Sequence, residues 1–446
     1  MSPLTRRQLL ATGLSLSTVA LLAACATPGT TSVNSLAKVA AAAPGEKVQL
    51  TYWAWLKGLD KVCAIWNAGH PDIQVEAVFI PGGNAGGYQK MYSALAAGAG
   101  PDIAQVEMRS VPEFVLVNGL VDLRRYGADS YEHLYDPTLW KQASYTGGLY
   151  GIPQDSGPMA TFYRPDLLDA VGAAPPKTWD EWTQVATELQ KTKVFMDSFA
   201  LADASVFAAF ATQAGAQWLT PEKDGWVIDM TDDATLQVAR FFDTAIDKNL
   251  VTTAYAAYSP GWFAAAADNQ LATITTASWG DALIEGVANA SGKWKVAPMP
   301  TWGSTGYGSS YVGGSTAAVL ANSKHPREAL EFTVWMTTTK EGIDALIKYC
   351  GIGWSPASDF IGTTREQPST FFSGQNYNEE VFVPATKQQN ADWSWWPVTQ
   401  QSFNILSDGF RKKGSGGTLV DAVVSAEKQI MTVFQNKGLS IRKASK

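Results

Sequence analysis

Val48-Gln49-Leu50-Thr51-Tyr52-Trp53-Ala54-Trp55 opens the folded part of the chain with the apolar alternation of a half-buried strand. Residues 57–67 follow with helical spacing. Residues 73–80 read as a second strand, ended by Pro81-Gly82-Gly83-Asn84. A helical pattern over 88–99 stops at Gly98-Ala99-Gly100-Pro101. Residues 102–107 form a third strand pattern, and 111–117 a helix. Strand alternating with helix predicts a parallel, layered α/β sheet. Ligands of such sheets sit at the carboxyl ends of the strands. The loops after Trp53, Ile80 and Val106 are therefore expected to share one rim.

Further along, Leu149-Tyr150-Gly151-Ile152-Pro153-Gln154-Asp155-Ser156-Gly157-Pro158 is an extended run broken by Pro and Gly, as expected of a crossover between domains. Thr178 is a plausible N-cap with Glu181 three residues on, a capping-box pattern. Helical periodicity dominates from there to Asn249. Strands are expected at 271–276 and 312–320, and helices at 326–336, 402–411 and 419–434. Residues 361–400 are loop-rich. The chain has no internal repeat.

The 446 residues are too many for one ordinary core and suit two domains. The first 24 combine Arg6-Arg7, a short apolar run and small residues before Cys25, which describes an export signal rather than a membrane span. The arginine pair resembles a twin-arginine signal, and Leu22-Ala23-Ala24-Cys25 resembles a bacterial lipobox, which implies lipidation of Cys25. Residues 25–45, rich in Ala, Thr, Ser, Pro and Gly, read as a flexible tether. Removing residues 1–24 leaves 32 basic against 41 acidic side chains. That balance argues against nucleic acid and anionic lipid as partners. The membrane is then reached only through the lipid anchor. Cys63 and Cys350 allow one bridge or two buried free thiols, the second being favoured. With three scattered histidines they offer no metal or cofactor site. The 17 Trp are the unusual count, many of them beside polar loop residues, as ligand-facing aromatics often are.

Several segments together resemble the extracellular solute-binding proteins of bacterial ABC sugar importers, the branch that includes maltose-binding protein. They are Gly100-Pro101-Asp102-Ile103, Leu149-Tyr150-Gly151-Ile152-Pro153, Phe162-Tyr163-Arg164-Pro165-Asp166-Leu167-Leu168, Pro176-Lys177-Thr178-Trp179-Asp180-Glu181-Trp182, Ser278-Trp279, Gly313-Gly314-Ser315 and His325-Pro326-Arg327-Glu328-Ala329-Leu330. The resemblance implies a two-lobe, type II-like periplasmic-binding-protein fold with a cleft between lobes and crossing hinge segments. One lobe would comprise 45–155 plus 314–356, the other 156–313 plus 357–446. It also implies a monomer, lipid-anchored outside the cytoplasmic membrane, that hands a sugar to permease subunits.

A sugar needs aromatic planes for its C–H faces and fixed partners for its hydroxyls, because a buried unpaired hydroxyl costs about 1–3 kcal/mol. Trp279 stands at the family's stacking position. Trp55 is on the first rim, and Trp393, Trp395 and Trp396 lie where the family's late aromatic loop crosses the cleft. Trp179 and Trp182 read as core. For polar contacts the candidates are Glu107, Arg109 and Ser110 after the third strand, Asn84 in its Gly-rich loop, Asp155 and Ser156 at the first crossing, and Gly313, Gly314 and Ser315 at the second. Gly157 lies where maltose-binding protein would align an acidic contact, so a maltose preference is not carried over. Two other readings compete. The same fold could bind a glycerophosphodiester, a polyol or another small polar solute, with Arg109 and Lys57 as the available cations. A secreted glycosidase would need two carboxylates at a set separation, and only Asp155 and Glu107 could be paired.

Overall fold

The computed structural model describes residues 37–361 and 368–445; the export signal and Cys25 lie outside them. The opening strand is Val48–Ala54, and its even-numbered side chains are the buried ones. Helix Leu59–Gly69 follows and buries Leu59, Val62, Cys63 and Trp66, the stripe that 3.6 residues per turn requires. Strands Ile73–Phe79 and Ile103–Glu107 pair in parallel on either side of Val48–Ala54. The sheet is completed by Ser315–Val319, which returns from the second half of the chain, and by Ile152–Pro153, which leads into the crossing. Ser315–Val319 runs antiparallel to Ile103–Glu107, with Ser315 opposite Glu107. The purely parallel sheet expected from the first six elements is thus a mixed one. The late strand enters from the other lobe, and its direction is fixed by that crossing.

The second lobe is built around an antiparallel sheet of Thr273–Ala277, Met159–Tyr163 and Lys295–Ala297. A short parallel pair, Asp197–Ser198 with Val251–Thr252, flanks it. Helix Trp179–Lys191 starts at the expected cap: the Thr178 hydroxyl accepts from the Glu181 N–H at 3.1 Å. The Glu181 carboxylate takes the N–H of Lys177, one residue before the capping-box position. The expected loop region contains helical turns at Asn378–Phe382 and Val383–Thr386, and the two last helices are Thr399–Phe410 and Leu419–Asn436.

The lobes are joined by two extended segments that run antiparallel to each other. Gln154 N–H donates to the Ser315 carbonyl, Val312 N–H to Gly157, and Met159 N–H to Ser310, at 2.9–3.0 Å. A third passage lies near 351–357, where Ile352 packs in the first core and Trp354 in the second. The end of the expected tether is held: Val39 N–H donates to the Tyr126 hydroxyl and Ala42 N–H to the Glu328 carboxylate. Cys63 and Cys350 are free thiols, each pushed up to about 12 chiefly by burial.

Candidate functional site

A cavity of about 260 Å³ lies where the two lobes meet. The first lobe contributes Glu107 and Arg109, the crossing contributes Val312 and Gly313, and the second lobe contributes the rest of the wall. Glu107 ends its strand with its carboxylate facing the rim. The Tyr88 hydroxyl donates to that carboxylate at 2.9 Å and accepts the Glu107 N–H at 3.0 Å. The Arg109 guanidinium lies 3.0 Å from the other carboxylate oxygen and 5.7 Å from the centre of the Phe403 ring. Burial disfavours the Arg109 charge, but the Glu107 carboxylate outweighs it and holds the pKa above the ordinary guanidinium value.

Trp279 follows strand Thr273–Ala277 and lines the cavity half-buried. Its indole N–H donates to the Val312 carbonyl at 2.9 Å, and its ring lies 5.9 Å from Tyr258, which also lines the wall. Two glycines make room for it. A Cβ on Gly157 or on Gly313 would stand 3.0 Å from the indole nitrogen, and the one on Gly157 would come within 2.1 Å of the Val312 carbonyl oxygen. The place where an acidic side chain was aligned in maltose-binding protein is thus closed to any side chain in this chain.

None of the other expected residues lines this cavity. Asp155 is in the crossing, where its carboxylate accepts the N–H of Ser315 and, at 2.9 Å, the Ser315 hydroxyl. Gln105 and Gln154 both donate to that hydroxyl, and Gln154 in turn takes the Tyr52 hydroxyl. Burial, with Glu107 adding to it, pushes the Asp155 pKa up to about 6. Gly314 stands at the same crossing with its carbonyl accepting the Met108 N–H, and Ser156 is buried beside it. Ser110 is buried and bonds the Tyr88 hydroxyl. Trp55 packs edge-on to Tyr88 and is outside the cavity wall. Asn84 lies in the short turn Gly83–Ala85. Trp393 and Trp395 line a second cavity of about 290 Å³ with Lys141, Tyr145 and Trp226. Trp396 is fully buried, its N–H bonded to the Ser402 hydroxyl. Twelve of the 17 Trp are buried, so the high count mainly builds cores.

The sequence profile of the bacterial extracellular solute-binding proteins matches residues 33–343. The chain belongs to that family. It is 25% identical over 336 residues to an arabinooligosaccharide-binding protein of Bacillus subtilis, covering 72% of this chain and 76% of that one. It is 25% identical over 350 residues to a lactose-binding protein of Rhizobium radiobacter, covering 73% and 79%. Among solved structures, the galacto-N-biose/lacto-N-biose I-binding protein of an ABC transporter from Bifidobacterium longum, in complex with lacto-N-biose, superposes with a TM-score of 0.79. It is 27% identical, covering 89% of this chain and 99% of that one.

This solute-binding protein also places in the cavity wall residues that sequence reading passed over: Asp197, Ser198, Asp203, Tyr258 and Thr276. The available signal was Phe195-Met196-Asp197-Ser198-Phe199, an acid set between apolar residues. It lies in the stretch read as helix-dominated. In the fold Asp197–Ser198 is a two-residue strand, and both residues line the cavity.

Proposed function

We propose that this chain is the carbohydrate-capturing component of an ABC importer. It takes a mono- or oligosaccharide into the inter-lobe cavity, closes its lobes on it and delivers it to permease subunits. One observation carries this: a single cavity joins residues of both lobes and the crossing, and combines aromatic rings with hydroxyls and carboxylates. A ligand there contacts both lobes only when they are closed, so it shifts the open–closed equilibrium toward closure. The lobes comprise 45–155 plus 314–356 and 156–313 plus 357–446. The protein acts as a monomer, tethered through lipidated Cys25 outside the cytoplasmic membrane. The sugars bound by the relatives support an oligosaccharide as cargo.

The anionic alternative is disfavoured by charge. Arg109 is already paired with Glu107, and Asp197 and Asp203 also line the wall. A phosphate would meet more carboxylates than cations. The glycosidase reading loses its pair, because Asp155 is engaged in the crossing while Glu107 is held by Arg109 and Tyr88. The chain is a binding protein without catalysis.

The test is a thermal-shift panel of lactose, lacto-N-biose, arabinotriose and glycerophosphocholine. A sugar at 100 times its Kd adds about 2.7 kcal/mol of stability. A shift with a sugar and none with the phosphodiester is expected. A shift with the phosphodiester alone, or breakdown of a sugar during incubation, overturns the reading.

A further inference from the structure

Asp197 sits in the wall of the inter-lobe cavity, and among the described residues no lysine or arginine pairs with it. One oxygen accepts the Ser198 N–H at 2.6 Å, and the other accepts the Thr275 N–H at 3.0 Å. Residues 195–198 lie along the outer edge of strand Thr273–Ala277. Their backbone contacts run from Ala272 N–H to the Phe195 carbonyl and from Thr273 N–H to the Met196 carbonyl. The carboxylate continues that ladder. The Thr273 hydroxyl also favours the carboxylate. A carboxylate, however, has about four lone-pair sites, so at least one acceptor position remains beyond these partners. Clipping a strand edge needs acceptors, not charge. An ionised group held in a low-dielectric wall without a cation is costly, and burial pushes this one up to about 7.

Beside it, the Ser198 hydroxyl oxygen is buried and has no hydrogen-bond partner among the described residues. Such a hydroxyl costs stability in the empty protein and returns it when a partner arrives. The oxygen is shielded in this conformation, so a ligand meets it through rotation about the Cα–Cβ bond. Two adjacent residues of the cavity wall thus each carry unused hydrogen-bonding capacity. The Tyr258 hydroxyl, which lines the same wall and donates to Thr276, feels the Asp197 charge.

We propose that Asp197 and Ser198 form a hydroxyl-reading subsite in the second-lobe wall of the cavity, where adjacent ring hydroxyls of the sugar donate to the carboxylate and accept from or donate to the serine. This inference rests on the cavity being the sugar site. It adds a recognition element in the second lobe that is separate from the stacking residue Trp279 and from the Glu107–Arg109 rim.

The experiment compares Ser198→Ala, Asp197→Asn and Trp279→Ala by calorimetric titration with lactose, lacto-N-biose and arabinotriose, and by melting of the sugar-free proteins. Ser198→Ala removes only an unpartnered hydroxyl, so its sugar-free melting temperature is expected to match or exceed the wild type. Its affinity is expected to fall roughly tenfold, and that of Asp197→Asn by at least as much. If both variants bind like the wild type while Trp279→Ala does not, the subsite is wrong and the cleft reading stands. If Trp279→Ala also binds normally, or none of the three sugars binds the wild type, the cleft reading falls and takes the subsite with it.

Discussion

The Trp279 indole N–H is tied to the Val312 carbonyl, so the ring that lines the cavity is fixed to the segment on which the lobes turn. Its polar edge is spent on the crossing, and a ligand can use only its apolar surface. Replacing Trp279 by Ala removes that surface and also frees the Val312 carbonyl. Aromatic contact beyond burial is worth roughly 0.5–1.5 kcal/mol, and lost apolar area adds to it. A loss of about 2–3 kcal/mol in sugar binding is expected, about a hundredfold in Kd. Because the ring is half-buried and bonded, the sugar-free protein should also lose about 1 kcal/mol. Calorimetric titration and urea unfolding read the two effects apart. Unchanged affinity with a large stability loss would make Trp279 a core residue.

Gly157 has no room for a methyl group. A Cβ there would meet the Val312 carbonyl oxygen at 2.1 Å, and that atom belongs to the paired crossing strand. Gly157→Ala must push the two crossing segments apart. Overpacking of this kind costs about 1–3 kcal/mol. Urea unfolding should show the loss. A variant as stable as the wild type would mean that the crossing yields more easily than its hydrogen bonds suggest.

The Asp155 pKa is raised by burial to about 6, above the usual carboxylate range. The folded state therefore holds this proton more tightly than the unfolded chain. The stability contributed is fully present below about pH 4, the unfolded value, and is lost as pH rises through about 6. Its size is on the order of 3 kcal/mol. Asp155→Asn should flatten that part of the stability–pH curve relative to the wild type between pH 4 and 7.5. Parallel curves for the two proteins would sink the assignment.

Cys25 lies outside the described residues, and its lipidation is tested in cells. Cys25→Ser should release the protein from the membrane fraction or leave it unprocessed. A Cys25→Ser protein that still incorporates labelled fatty acid would show that the anchor is elsewhere.

Local signals made the first lobe legible. Alternation over Val48–Ala54, the apolar stripe of Leu59–Gly69 and the Gly-Pro stops gave strands and helices close to the observed ones, because each element buries one face against its sequence neighbours. The direction of Ser315–Val319 was not legible. It depends on Ser315 pairing opposite Glu107, a partner remote in sequence, and no local pattern encodes that. The cavity wall was legible beside strand ends, at Glu107, Arg109, Trp279 and Gly313. Tryptophan counts misled because indoles serve cores and clefts equally: Trp396 has the same flanking polarity as a rim residue, yet it is sealed against Trp218 and Phe403. Asp197 escaped because a two-residue strand is too short to show a period.

The cavity wall also includes Trp179, Trp182, Phe207, Phe210 and Phe242, none more than 4% exposed. The same five rings belong to the core of the second lobe. Wall and core are therefore one structure on this side. Trimming any of these rings to alter the ligand also costs the lobe about 3–5 kcal/mol of packing. The polar residues of the wall carry no such burden, so a change of cargo comes more cheaply through them than through the rings.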